Sequence, residues 1–464
     1  MVSKSRVNPD NALSKHVSPV SSAIVRSIHP PFPFRLSILA KNYLLEMARR
    51  IHSSAKTIRH IPIVFDSMDF SAKTDHGVLY HHIPEPIRKT IESRPKIGRK
   101  YTFSVGDTPH AQKQVAVYLV LPKPKSPDDP YSRIYHSEKL AHRFFESSIR
   151  RMRIWLGVAF RFGGHLCAQK LNVYVFLTDH QKRLPNSHEE DASIGIQHAN
   201  TALTTSCSQD SNIYLFRSEE WFKVFIHETF HSLGIDFSQM DVSESNRQIT
   251  QMFLGCDPHL DVRLFETYCE MWAEILNVLM ISYFSKVDGD VFPKYSGVGQ
   301  TKRKTPKSQK HQKKKSRNLR TATPDISQIV SIAERHLQYE RTFTMIQAGK
   351  VLKHHGMTYR DLCSGTPHMP KYRESTNVFA YYILKSILMY NLNEFIEWCF
   401  VHTGSRETPT LFFPKSPDSV REYGDLIGRL YQSNEFIKTL EDVNRKSSSH
   451  GGDTLRMSVF EHNG

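Results

Sequence analysis

Residues 219–238 read EEWFKVFIHETFHSLGIDFS. Two acids open this stretch, a largely apolar run follows, and Gly234 stands where a glycine commonly ends a helix. The pattern predicts a helix from about 219 to 233 with the motif H-E-x-x-H at its centre. This helix decides the kind of fold, because two histidines on one helix require a partner element that completes the ligands of a metal.

The polar residues of the motif are His227, Glu228 and His231. Residues four apart on a helix lie about 40° apart around the axis and about 6 Å apart along it, so both imidazoles can bind one ion. Glu228 points about 100° away from His227, where it can reach a water on the metal without being a ligand. Zinc lowers the pKa of such a water, and a carboxylate relays the proton. We therefore predict a Zn²⁺ site with His227 and His231 as ligands and Glu228 as the catalytic base.

The same motif also occurs by chance, as a polar face on a surface helix. Here it directly follows residues 221–226, which are largely apolar. Charged groups inside such a helix need partners, because isolated buried charges are costly. The apolar run favours the metal site, and the surface face stays as the alternative.

A hydrolytic zinc site usually has three protein ligands and one open position. In the pattern H-E-x-x-H-x-x-G-x-x-H the third ligand follows six residues after the second histidine. Gly234 matches this pattern, but Phe237 stands at the ligand position and Asp236 is one residue off. The third ligand must therefore come from elsewhere.

A second apolar helix is predicted over about 264–284, and it carries Glu266, Glu270 and Glu274 at a spacing of four. This spacing places the three carboxylates on one face of the helix. That face is either solvated or supplies a metal ligand and its supporting carboxylate.

Together, the segments IHETFH and ETYCEMWA resemble the gluzincin group of zinc metallopeptidases. The resemblance implies that Glu266 is the third zinc ligand and that Glu270 orients a ligating histidine. The separation of His231 from Glu266 is longer than in the best-known gluzincins, and a glutamate replaces the usual Asp or Asn at 270. Glu270 therefore stays open as the alternative ligand.

More narrowly, residues 130–285 are similar to predicted metallopeptidases of large nucleocytoplasmic DNA viruses. The similarity implies a zincin-like fold and a viral protein, and it points to no particular substrate.

The remaining patterns place strands and helices before the motif helix and only helices after it. Apolar runs predict strands near 61–65, 115–121 and 171–177, and Ser137 begins a helix that extends to about Leu156. The expected fold class is α+β and zincin-like, with a mixed sheet N-terminal to the active-site helix and a mainly helical subdomain after it.

Five regions are expected along the chain. They are a poorly ordered or peripheral N-terminal segment (1–55), a zincin-like catalytic domain (56–286), a basic disordered insertion (287–323), a helical C-terminal subdomain (324–446) and a disordered tail (447–464).

Two further features of the site are left open. Residues 200–204 are a candidate edge strand that receives the substrate through main-chain hydrogen bonds, or a plain structural strand. His402, His259 and Tyr268 are candidates for a transition-state stabiliser, and none is favoured over a structural role.

The formal net charge is +16, and residues 302–320 carry ten Lys or Arg and no acid, which leaves 16 − 10 = +6 for the rest of the chain. This segment is either a solvated insertion or a site for nucleic acid, an acidic surface or an import receptor. It lacks the interleaved aromatic residues of a base-stacking platform.

No apolar run is long enough to span a bilayer, and the first residues lack the apolar core of a secretory signal. The six cysteines form no C-x-x-C pair, so we expect reduced thiols and an intracellular protein, cytoplasmic or associated with nucleus or virion.

Three functions are consistent with these patterns. The first is a zinc-dependent peptidase that hydrolyses polypeptide through Glu-assisted attack of zinc-bound water. The second is a catalytically silent scaffold or virion component with a zincin fold. The third is a nucleic-acid-associated protein with a structural zinc site. Glu228 favours the first, because a structural site needs no general base and normally closes with a fourth protein ligand.

Overall fold

The structure, a computed structural model, describes residues 34–67, 78–106, 112–185, 193–287, 324–365, 371–402, 409–447 and 452–461. The basic insertion predicted at 287–323 therefore lies outside the described residues, apart from its first residue. The described residues form an α+β fold with one mixed sheet and many helices, as the sequence predicted for the fold class.

The sheet has six strands, β1 (Val64–Ser67), β2 (Lys96–Val105), β3 (Lys113–Pro122), β4 (Lys170–Phe176), β5 (Ala202–Thr204) and β6 (Asp210–Leu215). Their order across the sheet is β1-β2-β3-β4-β6-β5. The pairs β3–β4 and β4–β6 are parallel, and the other pairs are antiparallel. The short strand β5 thus ends the described sheet on the side of the motif helix.

The helices of four or more residues are α1 (Ile38–Thr57), α2 (Glu85–Ser93), α3 (Ser132–Tyr135), α4 (Glu138–Ala159), α5 (Ile196–Ala199), α6 (Trp221–Ser232), α7 (Ser243–Met252), α8 (Leu264–Val287), α9 (Ile326–His354), α10 (Tyr359–Ser364), α11 (Lys385–Tyr390), α12 (Leu392–His402), α13 (Pro417–Leu430) and α14 (Asn434–Ser447). A π-helix, Phe379–Leu384, runs directly into α11. Short 3₁₀ turns cover Ile58–His60 and Val78–His82.

The two faces of the sheet are covered differently. Alternate residues such as Val117 and Val173 belong to the main core, which the sheet shares with the large helices. On the opposite face, Val120 and Phe176 join a smaller cluster under α2 and the turn before it. Helix α6 follows β6 and packs against β5, β6 and α8, so the motif lies between the sheet and the helical part of the chain.

The local predictions agree closely with these bounds. The motif helix was predicted over about 219–233 and is observed over Trp221–Ser232. The glutamate-bearing helix was predicted over about 264–284 and is observed over Leu264–Val287. Ser137 caps α4 through its side chain, which accepts a hydrogen bond from the Leu140 amide.

The described part of the N-terminal segment differs from its prediction. A poorly ordered or peripheral segment was expected over residues 1–55; residues 1–33 lie outside the described residues, and α1 spans Ile38–Thr57. Ala40, Leu44 and Met47 on this helix are fully buried in the main core. Their spacing of three to four residues gives the helix one apolar face, and that face packs against α4, α8, α9 and α12.

The end of the chain also differs from its prediction. A disordered tail was expected over 447–464, yet residues 455–460 are buried. Val459 and Phe460 lie in the main core. The carboxylates of Glu220 and Glu340 accept hydrogen bonds from the backbone of this segment, which is why a stretch without periodicity is ordered.

The expectation of six reduced cysteines is wrong, because Cys167 and Cys207 form a disulfide. The two residues are 40 positions apart, so their spacing offered no signal. The free cysteines are Cys256, Cys269, Cys363 and Cys399. The thiols therefore give no support to an intracellular location.

None of the helices in the described ranges is long and apolar enough to cross a membrane.

Candidate metal centre

The motif helix α6 is buried along its whole length, so its polar groups face other protein groups or a cleft. Gly234 ends the helix with a φ of +60°, and a Cβ at this position would lie 3.0 Å from the Cys167 sulfur. Glycine is therefore required both by the backbone conformation and by the disulfide beside it. The surface-face alternative for the motif does not hold.

Three ligand atoms converge between α6 and α8. His227 Nε2 lies 3.1 Å from His231 Nε2 and 3.1 Å from Glu266 Oε2. His231 Nε2 lies 3.4 Å from Glu266 Oε2. Tetrahedral zinc with bonds of about 2.0–2.1 Å separates its ligand atoms by roughly 3.3 Å. The three residues, each no more than 8% exposed, therefore fit one zinc ion in both chemistry and spacing.

The second nitrogen of each histidine faces a carboxylate. His231 Nδ1 lies 2.6 Å from Asp236 Oδ2, and His227 Nδ1 lies 3.2 Å from Glu270 Oε2. The His227 contact is close enough for an ion pair, although its hydrogen-bond alignment is poor. Carboxylates in these positions keep the proton on Nδ1 and leave Nε2 free to bind a metal.

Glu266 is held by two residues from the C-terminal part of the chain. Its Oε1 accepts a hydrogen bond from Asn377 at 3.0 Å, and its Oε2 accepts one from the Tyr381 hydroxyl at 3.2 Å. Tyr381 lies on the π-helix, a geometry that is often found at functional sites. The helical part of the chain thus places one phenol directly beside the three ligand atoms.

Glu228 borders the cleft next to the two histidines. Among the described residues no hydrogen-bond or ion-pair partner contacts its carboxylate, so the group is free to meet a molecule in the cleft. Burial raises the pKa of Glu228, while His227 and His231 oppose that rise. A divalent cation beside it would also favour the ionised form.

The pKa of Glu266 is shifted in the opposite direction. Burial alone would raise it, but the positive charge and hydrogen bonds of His231 and His227 outweigh burial and hold the pKa below its usual range. An ionised carboxylate beside two imidazoles is the form that binds a cation.

The cleft above these residues has a volume of about 1010 Å³. Its lining includes β5, residues 373–377 and Tyr381. Asp257, His259 and Arg263 also line it, and Arg263 has a φ of +47°, which is uncommon for a residue other than glycine.

The structure separates the roles that the sequence left open. Glu266 faces the Nε2 atoms of His227 and His231, whereas Glu270 faces the opposite nitrogen of His227 and Glu274 accepts a hydrogen bond from Lys385. All three glutamates are buried, so the solvated-face alternative does not hold. Asp236, the other possible ligand, contacts the far nitrogen of His231.

The three candidate stabilisers from the sequence lie in different places. The Tyr268 hydroxyl donates to the Leu411 carbonyl inside the core, and His402 stacks on Trp398 outside the cleft lining. His259 borders the cleft. Tyr381 was missed, since no sequence pattern links a tyrosine to a glutamate 115 positions before it.

Comparison of the chain with models of protein families, with curated proteins and with solved structures found no significant match.

Proposed function

We propose that this protein is a zinc-dependent peptidase of the gluzincin type, in which His227, His231 and Glu266 hold the metal. The observation that carries the proposal is the convergence of two imidazole nitrogens and one carboxylate oxygen beside the unpartnered carboxylate of Glu228. The described residues bring three ligand atoms to this cluster, which matches a catalytic site better than a closed structural one. The order of sheet, motif helix and helical half is also compatible with a zincin-like arrangement.

When bound, zinc lowers the pKa of a water and polarises a carbonyl. Glu228 is the residue that accepts the proton of the attacking water and transfers it to the departing amine. Tyr381 is the hydroxyl donor that can stabilise the oxygen of the carbonyl under attack. Asp236 and Glu270 keep the two histidines in the tautomer that leaves Nε2 free.

A polypeptide substrate is supported by the strand β5. This strand pairs with β6 on one side only within the described sheet, and its other side borders the cleft. An extended peptide can therefore add to β5 through main-chain hydrogen bonds, which is the way proteins commonly bind a strand. This supports the substrate-binding role that the sequence left open for residues 200–204, of which 202–204 form β5.

The experiment that tests the proposal compares wild type with Glu228→Gln. Both proteins should contain about one zinc per chain and melt at similar temperatures, because Glu228 is not a ligand. Cleavage of a peptide library should fall by about 10²–10⁴-fold in the variant, the usual contribution of general acid–base catalysis. A chelator should abolish the wild-type cleavage.

Two results would contradict the proposal. Equal cleavage by both proteins would remove Glu228 from catalysis. Zinc in both proteins without cleavage by either would instead favour the scaffold function.

A further inference from the structure

Behind the candidate metal centre lies a cluster of four buried charged residues, Lys223, Lys385, Glu270 and Glu274. Lys385 Nζ donates to Glu270 Oε1 and to Glu274 Oε2, each at 2.9 Å. Lys223 Nζ also donates to Glu270 Oε1. The side chains are at most 3% exposed, so water does not replace these contacts.

The two oxygens of Glu270 have different partners. Oε1 accepts from both lysines, and Oε2 lies 3.2 Å from His227 Nδ1. A carboxylate whose one oxygen is held by two ammonium groups cannot rotate about its last bond without breaking both contacts. The lysines therefore determine the direction in which Glu270 presents its other oxygen to the histidine.

The position of Lys385 also depends on residues 454–460, an irregular segment that lies next to it. The Met457 carbonyl accepts a hydrogen bond from Lys385 Nζ at 3.1 Å. Glu220 accepts from the Met457 and Ser458 amides, and Glu340 accepts from the Val459 and Phe460 amides. Glu220 thus holds the two amides that flank this carbonyl, and Glu340 holds the next two amides.

We propose that Lys223 and Lys385 are positioning residues, which together with segment 454–460 hold Glu270 against His227 and thereby set the affinity of the centre for zinc. The inference rests on the proposed function in that zinc is the metal. It goes beyond the ligand set, because neither lysine reaches the ligand atoms and the segment lies some 190 residues beyond Glu266 in the chain. Loss of such an outer contact typically weakens metal binding by about 10–100-fold.

The test measures zinc affinity by competition with a chromophoric chelator for wild type, Lys385→Met and Lys223→Met. The control is Lys113→Met. Lys113 is also a buried lysine, and its Nζ donates to the Gly164 carbonyl at 2.9 Å, but it contacts neither Glu270 nor segment 454–460. Removal of any of the three lysines leaves buried acceptors without their donor and lowers the melting temperature. Only Lys385→Met and Lys223→Met should weaken zinc binding by 10-fold or more, and Lys113→Met should change it by less than about threefold.

Two further measurements apply if Lys385→Met folds poorly or if zinc binding is too weak to measure. The double variant Lys385→Met/Glu274→Gln removes one charge of each sign and should fold better, yet it should still lose zinc affinity. Its crystal structure without metal should show the Glu270 carboxylate turned away from His227 Nδ1.

The outcomes separate this inference from the proposed function. Equal zinc affinities for wild type, Lys223→Met, Lys385→Met and Lys113→Met would overturn the role of the lysines while leaving the zinc site in place. An unchanged Glu270–His227 contact in the double variant would overturn it independently of any metal. Absence of zinc binding in the wild type would instead refute the proposed function, and the crystal structure would then decide the positioning role alone.

Discussion

The contact between Asp236 and His231 allows a prediction whose size follows from the structure. Asp236 Oδ2 lies 2.6 Å from His231 Nδ1, and the aspartate is 1% exposed. The other oxygen, Oδ1, accepts a hydrogen bond from the Ser238 hydroxyl at 3.1 Å, so the carboxylate has a fixed orientation. The contact is therefore a short, buried hydrogen bond to a charged acceptor.

Two substitutions separate the contribution of the negative charge of Asp236 from that of its hydrogen-bond acceptor. A hydrogen bond to a charged group contributes about 1.5–3 kcal/mol, which corresponds to roughly 10–100-fold in an equilibrium constant. Asp236→Asn keeps a neutral acceptor of the same shape, so zinc affinity should fall by about 10-fold. Asp236→Ala removes the acceptor, so the loss should approach about 100-fold.

The assay is zinc competition against a chromophoric chelator at constant pH, with melting temperature measured on the same samples. Ser238→Ala is the control, because it touches the same carboxylate but leaves the contact to the histidine intact. Zinc affinities of Asp236→Ala and wild type within threefold of each other would refute the orienting role. A larger loss of zinc affinity for Asp236→Asn than for Asp236→Ala would refute the idea that the neutral acceptor retains part of the effect.

Three other predictions use different parts of the molecule. Glu266→Gln should weaken zinc binding far more than Glu274→Gln, with Glu270→Gln intermediate, and a zinc affinity equal to that of the wild type in all three variants would show that the third ligand lies elsewhere. Phe460→Ala should lower the free energy of unfolding by about 3–5 kcal/mol in urea titrations, because the ring is fully buried, whereas a disordered tail would give no change. Burial raises the pKa of Glu374 to about 8 from 4.5, so the folded protein binds this proton more tightly than the unfolded chain. The stabilisation from this group is complete below about pH 4.5 and is lost as the pH rises through 8, at up to about 1.4 kcal/mol per pH unit, and Glu374→Gln should reduce this slope.

Much of the local structure could be predicted from the sequence. The helices that carry the motif and the glutamates were predicted to within about three residues at each end, because both are long apolar runs with recognisable ends. The strands β3 and β4 were predicted from their apolar runs. The spacing of His227 and His231 identified one side of the centre, since a helix places residues four apart next to each other.

The choice among the acidic residues depended on the tertiary structure. Glu266 and Glu270 lie on the same helical face, and only the approach of α8 to α6 decides which of them meets the Nε2 atoms. Asp236 lies five residues after His231, yet its role depends on the turn made at Gly234. The sequence shows which acidic residues lie near the motif, but only the packing of α6 against α8 determines which carboxylate oxygen meets each histidine nitrogen.

The sequence by itself determined the chemistry that is available, namely two histidines and a glutamate on one helix and an acidic stripe on another. Only the tertiary structure decided what surrounds them, including Tyr381, Lys385 and the buried segment 454–460. These residues lie more than a hundred positions from the motif, and no periodicity connects them to it. They make these contacts because a buried carboxylate needs hydrogen-bond donors, and the fold brings those donors from distant parts of the chain.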